Sequence, residues 1–383
     1  MKASYWLALA CAVSVAACST IAGKSPDEMA RYATQRAFTT DNQFNFAGTV
    51  TVSQASPEMA ATSGGMDEWM KFWLEHTSIP FTGAVDAPRK VFEITPELRY
   101  EAPNALLSVK VPMYGDLNEV SLWVDPAAVT PFIKIASPEI GHRIEGKSVL
   151  FKLPESMRQS LALDAILTAW PKATDRAEAG LDRNAFALLP MDQDGQKVGA
   201  TYRVALSLEG EALKKYSNDF YTYLAEEVEA IGEKQPEAGV SAEQYQTTAS
   251  FIREWGNLQG TVDDDEVGDA LGTAADQMKM RSEMYLGGNG RILAWRQAVE
   301  MPMPDESGGN ISATMWVTTS NFGKPVFHVK PEASRTVEVT DLLGSGYGGN
   351  TEGADHASLP EGWQKLVEEN PNIMVDVTTP YSE

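Results

Sequence analysis

Acid–base or metal chemistry would have to begin with four histidines: His76, His142, His328 and His356. A zinc site repeats its ligands at short spacing, and none of the four has a partner placed that way. His328 stands among alternating apolar residues, where a satisfied or solvent-facing strand histidine is the simpler reading. No Gly-x-Ser-x-Gly elbow is present for acyl transfer. Gly344-Ser345-Gly346-Tyr347-Gly348-Gly349 lacks the Lys-Ser/Thr pair and the following helix that a phosphate loop needs. Asp192-Gln193-Asp194-Gly195 resembles the opening of a calcium loop, but the position due a bidentate glutamate holds Thr201, which leaves a plain Asp-Gly turn. Asp263-Asp264-Asp265-Glu266 reads as the start of a helix, where carboxylates answer free N–H groups and the helix dipole. Paired carboxylates are too common in so acidic a chain to point to glycoside hydrolysis. The residue types argue for no enzyme, no metal and no cofactor.

One residue does carry a covalent expectation. Lys2 gives a thin basic start, Tyr5 to Val15 is apolar but too short to span a bilayer, and the run ends in Val15-Ala16-Ala17-Cys18. This resembles the lipobox of bacterial lipoproteins, which implies a signal peptide over 1–17 and acylation of Cys18, the lipid anchor. Ser19, not Asp, follows the cysteine, so the resemblance implies an outer-membrane address, facing the periplasm rather than the cell surface. The sequence holds 2 cysteines, and the other, Cys11, lies inside the expected signal. The mature chain is then expected to hold no disulfide and no thiol site.

The chain has 383 residues and 43% hydrophobic residues, enough for one large domain or two ordinary ones. Its formal net charge is −22, which argues against a nucleic-acid partner and against electrostatic docking on anionic lipid. A solvated acidic surface is the plain reading of that charge.

The elements follow from periodicity. A short tether over 18–26 reaches only about 30 Å at roughly 3.5 Å per residue, so the body sits close to the membrane. Asp27 to Phe38 reads as a helix, and Phe44 to Val52 as a strand with Phe44, Phe46, Val50 and Val52 inward. Asp67 to His76 is a helix loaded with Trp69, Met70, Phe72, Trp73 and Leu74, too many for one face. It is either a core helix clamped on two sides or the lining or lid of an apolar cavity. Short strands cut by Pro and Gly follow near 91–94, 106–113, 120–124, 132–135 and 149–153, an antiparallel meander. Glu155 to Trp170 is helical and Thr174 to Asn184 connecting. The second half has a strand over 201–208, a long helix over 211–233, helices near 242–255 and 263–281, then strands at 284–286, 292–301, 311–319, 326–329 and 337–339. Both halves, 27–172 and 185–340, read strand, helix, meander, with a tail over 341–383.

Ser121-Leu122-Trp123-Val124 followed by Pro131-Phe132-Ile133-Lys134-Ile135 returns as Thr314-Met315-Trp316-Val317 followed by Pro325-Val326-Phe327-His328-Val329. The repeat predicts one β-rich unit used twice. Phe46-Ala47-Gly48-Thr49-Val50, Trp123-Val124-Asp125, Pro131-Phe132-Ile133, Asp194-Gly195 with Ala200-Thr201-Tyr202-Arg203-Val204, and Asn321-Phe322-Gly323-Lys324-Pro325-Val326 resemble, in order, strands and turns of the LolA-like and LppX/LprG-like family of envelope lipid and lipoprotein carriers. The resemblance covers about residues 40 to 340. It implies an α+β fold over 27–340: one large curved antiparallel sheet, an unclosed half-barrel, with helices on its concave face and an apolar cavity between them. The expected function is non-enzymatic binding and transport or presentation of an acyl-bearing ligand, lipid or lipoprotein, such as a palmitate chain. The cavity is expected to be lined by Phe44, Phe46, Trp69, Phe72, Trp73, Trp123, Phe220 and Trp316. The competing expectation is a protein-interaction or envelope-assembly module with a filled interior and an exposed apolar patch for an envelope protein partner.

Overall fold

A computed structural model describes residues 21–55, 72–73, 76–234, 236, 239–258, 277–302 and 310–343. Cys18, Trp69 and the acidic run 263–266 lie outside the described residues.

Thirteen strands join in a single sheet. In chain order they are β1 (Gln43–Ala55), β2 (Thr77–Asp86), β3 (Val91–Ala102), β4 (Ala105–Lys110), β5 (Met113–Asp116), β6 (Ser121–Val124), β7 (Ser148–Lys152), β8 (Phe186–Leu189), β9 (Tyr202–Glu209), β10 (Lys279–Leu286), β11 (Ile292–Pro302), β12 (Asn310–Ser320) and β13 (Thr336–Glu338). The order across the sheet is β13-β7-β6-β5-β3-β2-β1-β12-β11-β10-β9-β8, with β4 added to β3. All pairings are antiparallel except β13 with β7. β8 and β13 are free edges, so the sheet is unclosed. The chain starts at the centre, steps outward from β1 to β7, crosses through helices to the far edge at β8, and steps back to the centre at β12. The two halves of the sequence are therefore two wings of one sheet, sewn together where β1 pairs with β12 from Asn45↔Ser320 to Ala55↔Asn310.

The helices among the described residues are α1 (Pro26–Thr39), α2 (Thr130–Ala136), α3 (Pro138–Ile144), α4 (Glu155–Ser160), α5 (Leu163–Ala179), α6 (Gln193–Lys197), α7 (Gly210–Lys234), α8 (Ala242–Leu258) and α9 (Val339–Leu343). α1 starts where Pro26 takes the first turn and Glu28 accepts the Ser25 backbone N–H at 3.1 Å. Its buried Met29, Ala30 and Ala33 lie at helical spacing and face β8, β9 and α5. α5 buries Ala165, Ala169, Ala173 and Ala177, one every four residues. That small-residue stripe lets α7 come close, and α8 packs on α7 in turn, with Leu224, Val228, Tyr245 and Ile252 in the shared core.

Several expectations need correction. Pro131 to Ile135 is helix, not strand: Pro131 sits in the first turn of α2, where its fixed φ and missing N–H suit a helix start. Val326 to Val329 joins no ladder: Pro325 and Pro331 supply no N–H, and side chains take up those of Val326, His328 and Val329. The hairpin repeat thus survives only as its tryptophan strands, β6 and β12. Residues 174–179 are the end of α5, not a connection, and Lys279 to Arg281 belong to β10. β2 and β8 are strands that periodicity missed. Asp192 caps a short helix, α6, where a plain turn was expected.

Candidate functional site

The pleat gives the sheet two unlike faces, and the register shows which residues share each. Val204, Met284, Trp295, Val317, Gly48 and Phe81 pair side by side from β9 to β2. One step along, Gly83, Ile94, Met113, Val124 and Val149 carry the same face on to β7. On β12, β1, β2 and β3 this face bears no charged residue.

Helices cover that apolar face at both ends. On one side Ile21, with Met29 and Ala33 of α1 and Leu213 and Tyr216 of α7, packs onto Val204, Leu206, Leu208 and Leu286. On the other, Ile133 and Ile140 of α2 and α3 and Leu342 of α9 pack onto Val149 and Val337. Between these walls, Phe44, Phe46, Val50, Phe81, Phe92, Ile94 and Met315 stay half-buried, and Ile79 is 36% exposed. The result is an apolar trough across the middle of the sheet. Its floor is made smooth by three aromatic–glycine register pairs: Phe81 with Gly48, Phe46 with Gly83, and Phe92 with Gly115. Each ring lies over its glycine; a Cβ on Gly48 would meet the Phe81 Cζ at 2.5 Å.

The trough continues beyond the sheet on the β3–β4 hairpin, where Leu98 and Tyr100 pair with Val109 and Leu107. Trp73 stacks on Tyr100 with ring centroids 5.6 Å apart, and Phe72 meets the same ring edge-on at 6.4 Å. His76 lies against Phe72 at 4.2 Å, in the same aromatic cluster.

The opposite face is polar. Arg203, Arg281 and Arg296 surround the buried Glu283, with Arg203 Nη2 at 2.7 Å from its carboxylate. Arg296 also reaches Asp192 at 3.2 Å and Asp194 at 2.7 Å, and its guanidinium lies 5.1 Å from the Trp316 ring centroid. Tyr285, fully buried, donates to Asp192 at 2.8 Å. Burial would raise the Asp192 carboxyl, but the Gly195 N–H, the Tyr285 hydroxyl and Arg296 outweigh it and hold it at about 2. Burial raises the Tyr285 phenol, and the bond to Asp192 raises it further. The two aspartates that resembled a calcium loop are thus engaged by arginines.

A strap formed by residues 321–331 crosses this polar face from β12 towards the β7 edge. Asn45 on β1 accepts the Val326 N–H at 2.8 Å. Glu93 on β3, itself buried, accepts the N–H groups of His328 and Val329 at 2.7 and 2.8 Å. Phe327 packs on Tyr114, which meets Trp123 at 5.8 Å. An open cleft of about 270 Å³ beneath the strap includes Trp123, Asp125 and His328. Among the described residues no three His, Cys, Asp or Glu side chains gather as a metal cage.

Of the eight residues expected to line one cavity, Trp69 lies outside the described residues and the other seven separate. Phe44 and Phe46 lie in the trough, and Phe72 and Trp73 at its end. Trp123 and Trp316 point to the opposite face, because they pair with Tyr114 and Thr49, whose neighbours along each strand face the trough. Phe220 packs on Trp170 at 5.0 Å inside the helical layer, away from the sheet. The residues that sequence reasoning missed are Ile79 and Phe81 on β2 and Phe92 and Ile94 on β3. Their alternation was legible, but Pro80 and Gly83 disguised the strand that ties them to β1.

The chain matches no known family profile, no curated protein and no solved structure. No helix among the described residues is long and apolar enough to cross a membrane.

Proposed function

We propose that this protein is a non-enzymatic lipoprotein, held at the periplasmic side of an outer membrane through lipid on Cys18, that carries or presents an acyl-bearing ligand on the apolar trough. The observation that carries the reading is the uncharged face of β12, β1, β2 and β3, flanked by helical walls and left half-buried between them. A core sheet of this width would be expected to bury such a face under helices. Phe, Ile, Val and Met side chains without an ion partner suit an alkyl chain and offer nothing to a charged metabolite. The unclosed α+β sheet with helices at its flanks agrees with a half-barrel of the LolA-like or LppX/LprG-like kind, in which this trough is the concave side.

Native mass spectrometry of protein purified gently from its own envelope tests the reading. A bound mass, released by organic solvent and identified as a lipid or acylated species at about one per chain, supports it. A clean apo mass from repeated preparations contradicts it.

A second reading has its own observation: Phe132 and Ile135 on α2 are 58% and 82% exposed, outside the trough. They suit contact with an envelope protein partner. In that case crosslinking from α2 captures one defined protein while the trough yields no lipid.

A further inference from the structure

We infer that the acyl ligand lies in the trough with its tail towards the Gln43 end of the sheet and its polar head at the β3–β4 hairpin, the end away from Ile21. This rests on the acyl-binding reading above and assigns the ligand's direction.

The two ends of the trough differ. At the Gln43 end, Phe44 packs on Phe322 with ring centroids 6.2 Å apart, and the Arg291 guanidinium caps Phe322 at 4.2 Å. Arg291 is itself tied to Asp41 at 2.8 Å, and Asp41 to Arg36 at 2.6 Å. Ile21 is fully buried beside this end, against the β10–β11 turn, and its N–H donates to the Gly288 carbonyl at 3.3 Å.

At the other end the apolar face runs out onto the hairpin, where described apolar side chains stay exposed. Leu98, Leu107 and Phe72 are 37%, 43% and 44% exposed. Trp73 stacked on Tyr100 forms a flat aromatic pad there. The back of the same hairpin is charged, with Lys110–Glu97 at 3.4 Å and Arg99–Glu101 at 2.9 Å. A polar head group therefore meets ions and water within one strand's thickness of the pad. On the uncharged floor of β12, β1, β2 and β3 it would meet no ion, and a buried charge without a partner is costly. From Phe92 to Tyr100 β3 spans about 26 Å at roughly 3.3 Å per residue, room for an extended palmitoyl-length chain.

Photolabelling gives the direction. The full lipidated chain in phosphatidylethanolamine–phosphatidylglycerol vesicles is offered two palmitate probes on serum albumin, one with a diazirine beside the carboxylate and one with it beside the terminal methyl. The inference predicts that the first labels the peptides holding Tyr100 and Leu107, and the second those holding Phe44, Phe46 or Phe92. Substitution of the exposed Leu107→Glu should lower labelling of the Phe44 peptide by about tenfold, the effect of ~1.4 kcal/mol, with the circular dichroism spectrum unchanged. The reverse labelling pattern overturns the direction while upholding acyl binding. Labelling of the hairpin alone by both probes, or unchanged labelling in Leu107→Glu, also overturns the direction. No labelling by either probe overturns the acyl reading itself.

Discussion

Phe46 on β1 lies across Gly83 on β2, and the two are register partners, so the ring fills the space a side chain would occupy. Phe81 covers Gly48 in the same way one pair along, pointing back from β2 to β1. The interlocked rings keep the trough floor low and apolar where β1 pairs with β2, one strand from the seam between the two wings. Gly83→Ala should therefore crowd both the Phe46 ring and the Glu93 carbonyl and cost roughly 1–3 kcal/mol, as overpacking does. Urea unfolding checks this, and Phe46→Ala combined with Gly83→Ala should recover part of the loss. Simple additivity of the two costs would contradict the pairing.

Glu178 on α5 faces Thr34 and Arg31 of α1, Asp175 of its own helix and Tyr216 of α7. It is 5% exposed; Thr34 donates to Oε1 at 3.2 Å, while Oε2 is buried without a partner. Burial, and to a lesser degree Asp175, raises its carboxyl to about 7 against the bond from Thr34. The folded chain then keeps a proton that the unfolded chain releases above about pH 4.5. Stability from this group is full at low pH and falls between about pH 4.5 and 7, by on the order of 3 kcal/mol. Glu178→Gln should leave stability near pH 4 unchanged and raise it at pH 8. Parallel stability–pH curves for the two proteins would rule this out.

Asp192 has the opposite sign. Its folded value of about 2 lies below the ordinary carboxylate value of 3.8, so its contribution is present above about pH 4 and lost as pH falls through 2. Asp192→Asn should flatten that acid limb and cost about 2 kcal/mol at pH 7, since Arg203 and Arg296 each lose an anion while the amide oxygen still caps α6. Thermal unfolding between pH 2 and 7 reads both effects.

The strap hangs on one carboxylate. Glu93→Leu should expose the amides of His328 and Val329 to exchange, with a local loss of about 1–3 kcal/mol of protection. Glu93→Gln, which keeps an acceptor, should retain most of it. Amides of β12 should exchange alike in all three proteins.

Cys18→Ser should release the chain from the membrane fraction into the soluble one and remove the fatty-acyl mass from the N-terminal peptide. A chain that stays membrane-bound without that cysteine would contradict anchoring there.

Much of the architecture was legible because strong periods survive tertiary packing. Phe44 to Val52, the stripe of α7 and the Gly287–Gly290 turn between β10 and β11 each carry enough local signal to fix an element. The face on which a tryptophan lies was not legible. Alternation says that Trp123 opposes Leu122, but only the register through Tyr114, Glu93, Ala84 and Asn45 shows that it also opposes Phe46. Proline-flanked apolar runs were ambiguous for a different reason. Pro131 begins a helix and Pro325 a strap, and five residues hold too few periods to tell either from a strand. The buried Glu283 and its arginines gave no signal, since their pairing depends on contacts up to 104 residues apart, as between Asp192 and Arg296.

Methyl NMR with a protonated palmitate ligand on deuterated, methyl-labelled protein tests the central claim most directly. The account predicts intermolecular contacts from the alkyl chain to Val50, Ile79, Ile94 and Met315, and none to Leu150 or Val91 on the opposite face. Contacts confined to the opposite face, or no contacts at saturating ligand, would contradict it.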